Sequence, residues 1–230
     1  MKKLITACLC IAILAGVAFE FMAPDAVSRM AEKQLTDKLT AKQISATVSA
    51  RPNLKLLLGQ IDVLKLSGTD VMIDDLIFSD LDLDLQDVRL NPLSLWLGGK
   101  INEENTGSGT IRAVLNEEAL RQFLTKKVHN ISDAEVVIGN ESITVQGKIL
   151  IANMIRQKAS ITGRVVIDGT KIVLKVDRAV VEGIGFGSTQ AAISDITLCD
   201  FKTFPVPLTP TRLTMKDSQI YLYAESAIKK

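Results

Sequence analysis

A single amphipathic helix set in a run of half-apolar strands is the feature that most constrains this chain. Asn116–Val128 reads NEEALRQFLTKKV. Asn116 suits the N-cap, because its side-chain oxygen can accept from backbone N–H groups that the first turn leaves free. Glu117 and Glu118 then meet the positive end of the helix dipole, and Lys126, Lys127 and His129 meet the negative end. Ala119, Leu120, Phe123, Leu124 and Val128 recur at helical spacing, so one apolar stripe has to be covered. A sheet folded around the helix is the expected cover.

The flanking segments supply that sheet. Pro24–Leu39 reads as a first helix, with Pro24 in its first turn and Val27, Met30, Ala31, Leu35 and Leu39 as its stripe. Strands are expected over 43–50, 60–67 and 70–78 and in the strict alternation Leu81-Asp82-Leu83-Asp84-Leu85, which Val88 and Leu90 continue less regularly. Arg51-Pro52-Asn53 breaks the first strand, and Leu54–Leu58 is an apolar patch ended by Gly59. After the helix, Ile143, Val145, Ile149 and Ile151 share one face, as do Ala159, Ile161, Val165 and Ile167. Asp168-Gly169 marks a hairpin turn, residues 188–201 fit strand or helix equally, and residues 212–215 and 219–224 form a closing hairpin.

About eight strands at ~4.8 Å make a sheet roughly 38 Å wide. Two helices of ~10 Å cover roughly half of that face. The rest must curl onto itself in a closed, packed core or meet something that is not protein. Gly109, Gly147 and Gly163 fall on the apolar faces of their strands, which fits either a tightly curled sheet or bulges near turns. Apolar residues make up 47% of the chain but aromatics only 4%, so the lining is aliphatic and suits acyl chains, which ask for area and little directional bonding.

Lys2 and Lys3 precede an apolar run from Leu4 to Phe19, the layout of an export signal, with Gly16-Val17-Ala18 as a cleavage site. Retained as an anchor, sixteen residues at ~1.5 Å each span about 24 Å, short of a ~30 Å hydrocarbon core unless Phe21–Ala23 extend it. The expected division is 1–23 as signal peptide or N-terminal membrane anchor and 24–230 as one domain, placed outside a bacterial-type cytoplasmic membrane. Cys8 and Cys10 lie in the signal, so Cys199 alone remains and no internal disulfide is expected.

Much chemistry is not expected. A net charge of +1 without a basic run gives nucleic acid no footprint. His129 is the sole histidine, at a helix end where its charge is mildly favourable. Asp74, Asp75, Asp80, Asp82 and Asp84 lack the glycine and distal glutamate of a calcium loop and read as a wet strand face. No nucleophile elbow, P-loop or HExxH is present. Neither catalytic residues, metal nor cofactor are expected, and a hydrolase is the weakest of the readings.

The order of elements resembles the LmeA-like phospholipid-binding family of bacterial envelope proteins. The resemblance rests on the Pro52…Leu58-Gly59 stretch, the Leu81–Leu90 alternation, AVLNEEALRQFL at Ala113–Leu124, the strands ITVQGKI and GTKIVLKV, and the Pro205–Pro207 loop before the last hairpin. It implies an α+β fold, a long curved, mainly antiparallel sheet wrapped around an amphipathic helix with an N-terminal helix, as in tubular lipid-binding domains. It also implies an extracytoplasmic phospholipid binder. That family has no fixed polar motif to carry over, so candidate residues come from faces alone. Leu120, Phe123 and Leu124 would line one wall of a lipid groove, with Ile143, Val145, Ile161 and Val165 opposite. Phe123→Asp is then expected to abolish lipid retention. Leu93, Trp96, Leu97, Phe204 and Leu208, in two apolar loops, would meet a membrane surface, where indole rings collect. The alternative is a structural cell-envelope protein with a fully packed core and a protein partner.

Overall fold

The computed structural model describes residues 24–29, 31–32, 41–73, 75–91, 103–105, 107–127, 131–151, 155–182, 188–190, 194–203 and 208–226. Residues 24–29 and 31–32 are helical (α1). The strands that follow are β1 (Gln43–Ser49), β2 (Gln60–Ile73), β3 (Leu76–Leu90), β4 (Glu103–Asn105) and β5 (Ser108–Asn116). Helix α2 (Glu117–Lys127) leads to β6 (Ile131–Ile138), β7 (Ile143–Ile151), β8 (Ile155–Asp168) and β9 (Lys171–Glu182). The chain ends on β10 (Ser188–Gln190), β11 (Ile196–Asp200), β12 (Thr209–Lys216) and β13 (Gln219–Glu225). The fold is α+β and mainly antiparallel, with one sheet strongly curled into a half-barrel and a short helix against it.

The strands do not form one sheet. They divide into a seven-stranded sheet, in the order β1-β2-β3-β5-β13-β12 with β4 on β3, and a six-stranded sheet, β10-β9-β8-β7-β6 with β11 on β9. Chain order explains the division. Helix α2 interrupts the chain between β5 and β6, and the final hairpin then returns to pair β13 with β5.

The expected break near residues 68–69 is not there. Gly68 lies inside β2, paired with Ile44 on one side and Leu81 on the other. The hairpin turn falls instead between Ile73 and Leu76, so the expected segments 60–67, 70–78 and 81–90 are two long strands. The irregular phase after Leu85 has a local cause. Asp87 takes a left-handed φ of 54°, which aspartate tolerates better than most residues, and Val88 and Leu90 turn back to the core. Asp133 does the same in β6, with φ 51° and a register shift between Ser132 and Glu135. Residues 188–190 and 196–200 resolve as strands, followed by a short 3-10 turn at Phe201–Thr203.

The three inner-face glycines separate into two cases. At Gly163 the β8–β9 register shifts, and a Cβ would run into the Lys175 carbonyl oxygen. A Cβ at Gly109 would instead meet a side chain, Leu85 Cδ2 at 2.7 Å, and one at Gly147 both a side chain, Ile131 Cγ1 at 3.0 Å, and the Ser132 carbonyl oxygen at 3.2 Å. Gly163 therefore sits at a bulge and Gly147 opposite the β6 bulge, while Gly109 allows close packing across strands.

Edge strand β1 is covered by α1, as an exposed edge otherwise invites pairing with another chain. The Val48 amide donates to Ser28 Oγ (3.0 Å), and the Ala46 amide donates to Glu32 Oε1 (2.9 Å). One buried cluster runs from Val27 of α1 through both sheets and α2.

Candidate functional site

Helix α2 is the element that ties the two sheets together. Asn116 Oδ1 accepts from the Ala119 amide at 2.9 Å, so the cap expected from sequence forms. The stripe is seated: Ala119, Leu120, Phe123 and Leu124 are buried. The helix packs on β6 of the six-stranded sheet and on β3 and β5 of the seven-stranded one.

Polar contacts fix both of its ends. Glu117 Oε1 accepts from the Ile138 amide of β6 at 2.8 Å. At the other end Lys127 Nζ lies 2.8 Å and Lys126 Nζ 3.3 Å from the Asp75 carboxylate, in the β2–β3 turn. These two ammonium groups, Lys127 foremost, hold the Asp75 carboxyl below the usual carboxylate range. Sequence reasoning assigned Glu117, Lys126 and Lys127 to the helix dipole alone. Nothing local pointed to partners on two different sheets.

On the solvent side, hydrogen bonds from Arg121 and then Gln122 lower the Glu118 carboxyl from an ordinary 4.5 to about 2. A depressed carboxylate contributes stability above its unfolded value, and loses it as pH falls through the folded one. The wild-type advantage over Glu118→Gln should therefore be present at pH 7, shrink below about pH 4.5 and vanish near pH 2. Thermal unfolding across that range checks this; an advantage that grew on acidification would contradict the pairing.

All seven wall residues lie in the buried cluster: Leu120, Phe123 and Leu124 from α2, Ile143 and Val145 from β7, Ile161 and Val165 from β8. Their exposures run from 0% at Leu120 and Ile143 to 6% at Val165, so each is covered by the protein's own atoms. Helix α2 packs on β6, while β7 and β8 lie one and two strands further along the sheet. At ~4.8 Å per strand, β8 is roughly 10 Å beyond β6. Sequence reasoning missed Val136 and Ile138 of β6 and Leu81, Ile111 and Leu115 of β3 and β5, all buried on the strands that α2 packs against. No strand was expected over 131–138, and elsewhere alternation does not say which strands face the helix; the pairing does.

Among the described residues no polar or charged residue is buried. Apolar cover is thinner at Leu64, Leu83, Leu213 and Met215 of the seven-stranded sheet, which are only partly buried against the cluster. Of the expected membrane-facing residues, Leu208 sits inside the core at 4% exposure, 3.7 Å from where a Gly109 Cβ would stand, and is no surface contact. Leu93, Trp96, Leu97 and Phe204 lie outside the described residues, as does His129. Among the described residues no cluster of His, Cys, Asp and Glu could hold a metal ion. No described helix is long and apolar enough to cross a membrane.

An aliphatic interior clamped by one helix, with no polar residue fully buried among the described residues, offers area to an apolar ligand and little directional chemistry to a polar one. No curated protein and no solved structure matches the chain. A family model does, over residues 18–225, most of the chain. The protein belongs to the LmeA-like phospholipid-binding family.

Proposed function

We propose that this protein holds or carries phospholipid outside the cytoplasmic membrane, as one domain following a signal or anchor at residues 1–23, and that it catalyses nothing. The observation that carries the reading is the continuous aliphatic cluster spanning α2 and both sheets, with no polar residue fully buried among the described residues. Acyl tails would take the place of contacts that the cluster makes with itself. In the lipid-free protein Leu120, Phe123 and Leu124 cover the strands beneath α2. A tail would enter as the helix lifts from β6 and settle beside Ile143, Val145, Ile161 and Val165. The exchange costs little, because apolar surface uncovered by the lift is covered again by the tail. Release of the part-buried Glu117–Ile138 contact or of the exposed Lys127–Asp75 contact, at opposite ends of the helix, would precede the lift. Head groups would stay outside, since nothing polar inside would receive them.

Organic extraction of the purified protein followed by mass spectrometry tests this. Phospholipid at near-stoichiometric amount is expected. A lipid-free protein that stays folded would favour the second reading, a structural envelope protein with a solid core; the 0–6% exposures of the wall residues are what favour it.

A further inference from the structure

Four large apolar side chains among the described residues are prominently exposed, and three of them fall in one six-residue turn. Single exposed apolar residues are ordinary; a cluster asks for an explanation. The turn is the 3-10 segment Asn53–Leu58, where Leu54 is 47% exposed, Leu57 44% and Leu58 64%. With three residues per 3-10 turn, Leu54 and Leu57 lie on one side and Leu58 beside them. Leu56, at 0% exposure, points the other way and pins the turn to the core.

The turn is held in place rather than left loose. The Lys55 amide donates to the Pro52 carbonyl (3.1 Å) and the Gly59 amide to the Leu56 carbonyl (3.0 Å), with Gly59 at φ 70° as the left-handed cap. The Leu90 amide donates to the Gly59 carbonyl at 2.8 Å. Asp62 accepts from the Arg51 amide at 2.6 Å and from Lys55 Nζ at 2.9 Å. The three leucines are thus presented by a braced support.

The first described residue, Pro24, stands at the same end of the molecule. Ser28 meets β1 at Val48 and Glu32 meets it at Ala46, so α1 runs antiparallel to β1. Four helical residues rise ~6 Å and two strand residues ~6.6 Å, so the two elements keep step. One turn earlier, Pro24 stands level with Ala50, immediately before Arg51 and the leucine turn. The described chain thus begins beside this turn, and the apolar run Leu4–Phe19 precedes it in sequence.

We infer that Leu54, Leu57 and Leu58 form a wedge that seats this end of the protein in the interface of a phospholipid bilayer. The inference rests on the lipid-carrying reading above. Three leucines are too few for a stable protein interface, which needs ~800 Å² per partner, but suit shallow insertion among head groups. Lys55 is paired with Asp62 at 2.9 Å, which leaves the leucines as the main contact of the turn.

The test uses the full-length chain carrying Cys8→Ser and Cys10→Ser, with Cys199 left in place because it is buried. A polarity-sensitive fluorophore is attached at Leu58→Cys or, as a control, at Val137→Cys, the fourth exposed apolar position. On vesicles of phosphatidylcholine and phosphatidylglycerol, the Leu58 label should shift to the blue and lose most of its emission to nitroxide-bearing lipid. The Val137 label should stay water-like. A Leu58 label that remains in water on vesicles overturns the inference. So does one already shielded without vesicles and unchanged by them, which would mean that the N-terminal segment or a second copy covers the turn. Phospholipid extracted from the same preparation keeps the two readings apart: lipid bound with a wet Leu58 label refutes docking alone, and no bound lipid refutes the carrier whatever the label does.

Discussion

Phe123→Ala is expected to cost about 3–5 kcal/mol of unfolding free energy. The ring is 2% exposed, on the face that α2 turns to β6, β3 and β5, and the helix joins the two sheets. Removing it opens a cavity at that junction, which a helix pinned at both ends by Glu117–Ile138 and Lys127–Asp75 cannot easily collapse to fill. Phe123→Leu should cost much less, because most of the apolar volume stays. Phe123→Asp should be the harshest, since it buries a carboxylate where no described polar residue is fully buried to receive it. Loss of lipid in the aspartate variant would therefore mix unfolding with loss of the wall. The leucine and alanine variants separate the two. Equilibrium denaturation gives the free energies, and extraction with mass spectrometry gives retained lipid per folded molecule. A loss under ~1 kcal/mol for Phe123→Ala would mean that α2 is not seated as described.

Gly163→Ala is expected to be the most damaging of the glycine substitutions, at the upper end of the ~1–3 kcal/mol typical of overpacking. Its new methyl group would run into the Lys175 carbonyl oxygen, which is backbone of the neighbouring strand and cannot rotate away. It would also stand 3.2 Å from Leu174 Cδ1. At Gly109 the obstacle is the Leu85 Cδ2 atom, the end of a flexible side chain, so Gly109→Ala should cost distinctly less. Denaturation midpoints of the two variants, measured side by side, decide the matter. Equal losses would show that the β8–β9 bulge has no special demand for glycine.

Both predictions concern positions that sequence reasoning singled out, yet for only part of the structural reason. Phe123 was legible as a buried helix residue because its signals are local: cap, end charges and stripe all lie within fourteen residues of chain, 116–129. Which strands it faces was not legible, because β5 and β6, next to α2 in sequence, belong to different sheets. The wall residues of β7 and β8 were legible as inward-facing, and all are buried. Their distance from the helix follows from strand order, which alternation does not encode.

Glycine was the least dependable punctuation. Gly59 and Gly169 stand at positive φ of 70° and 59° and end elements as expected. Gly68 looked like a break but lies within β2, where a Cβ would meet Val71 Cγ2 at 2.6 Å. Aspartate carried the information that glycine seemed to carry. Asp87 and Asp133 adopt left-handed φ and shift which face of the strand is apolar, and Asp217 and Ser218, both left-handed, close the last hairpin. The Leu54–Leu58 patch was legible as apolar, but not which leucines point outward. A 3-10 turn splits them in a way that neither helical nor strand periodicity anticipates.

What the sequence by itself determined is the set of local commitments: an aliphatic chain, one capped helix among strands, and inward faces for most of its apolar residues. These follow from rotamers, caps and periodicities that act within a few residues. What only the tertiary structure decided is partnership. Two sheets meet at α2, Leu208 is drawn into the core and three leucines are left outside, because pairing between strands far apart in the chain settles which apolar surfaces cover one another and which go uncovered.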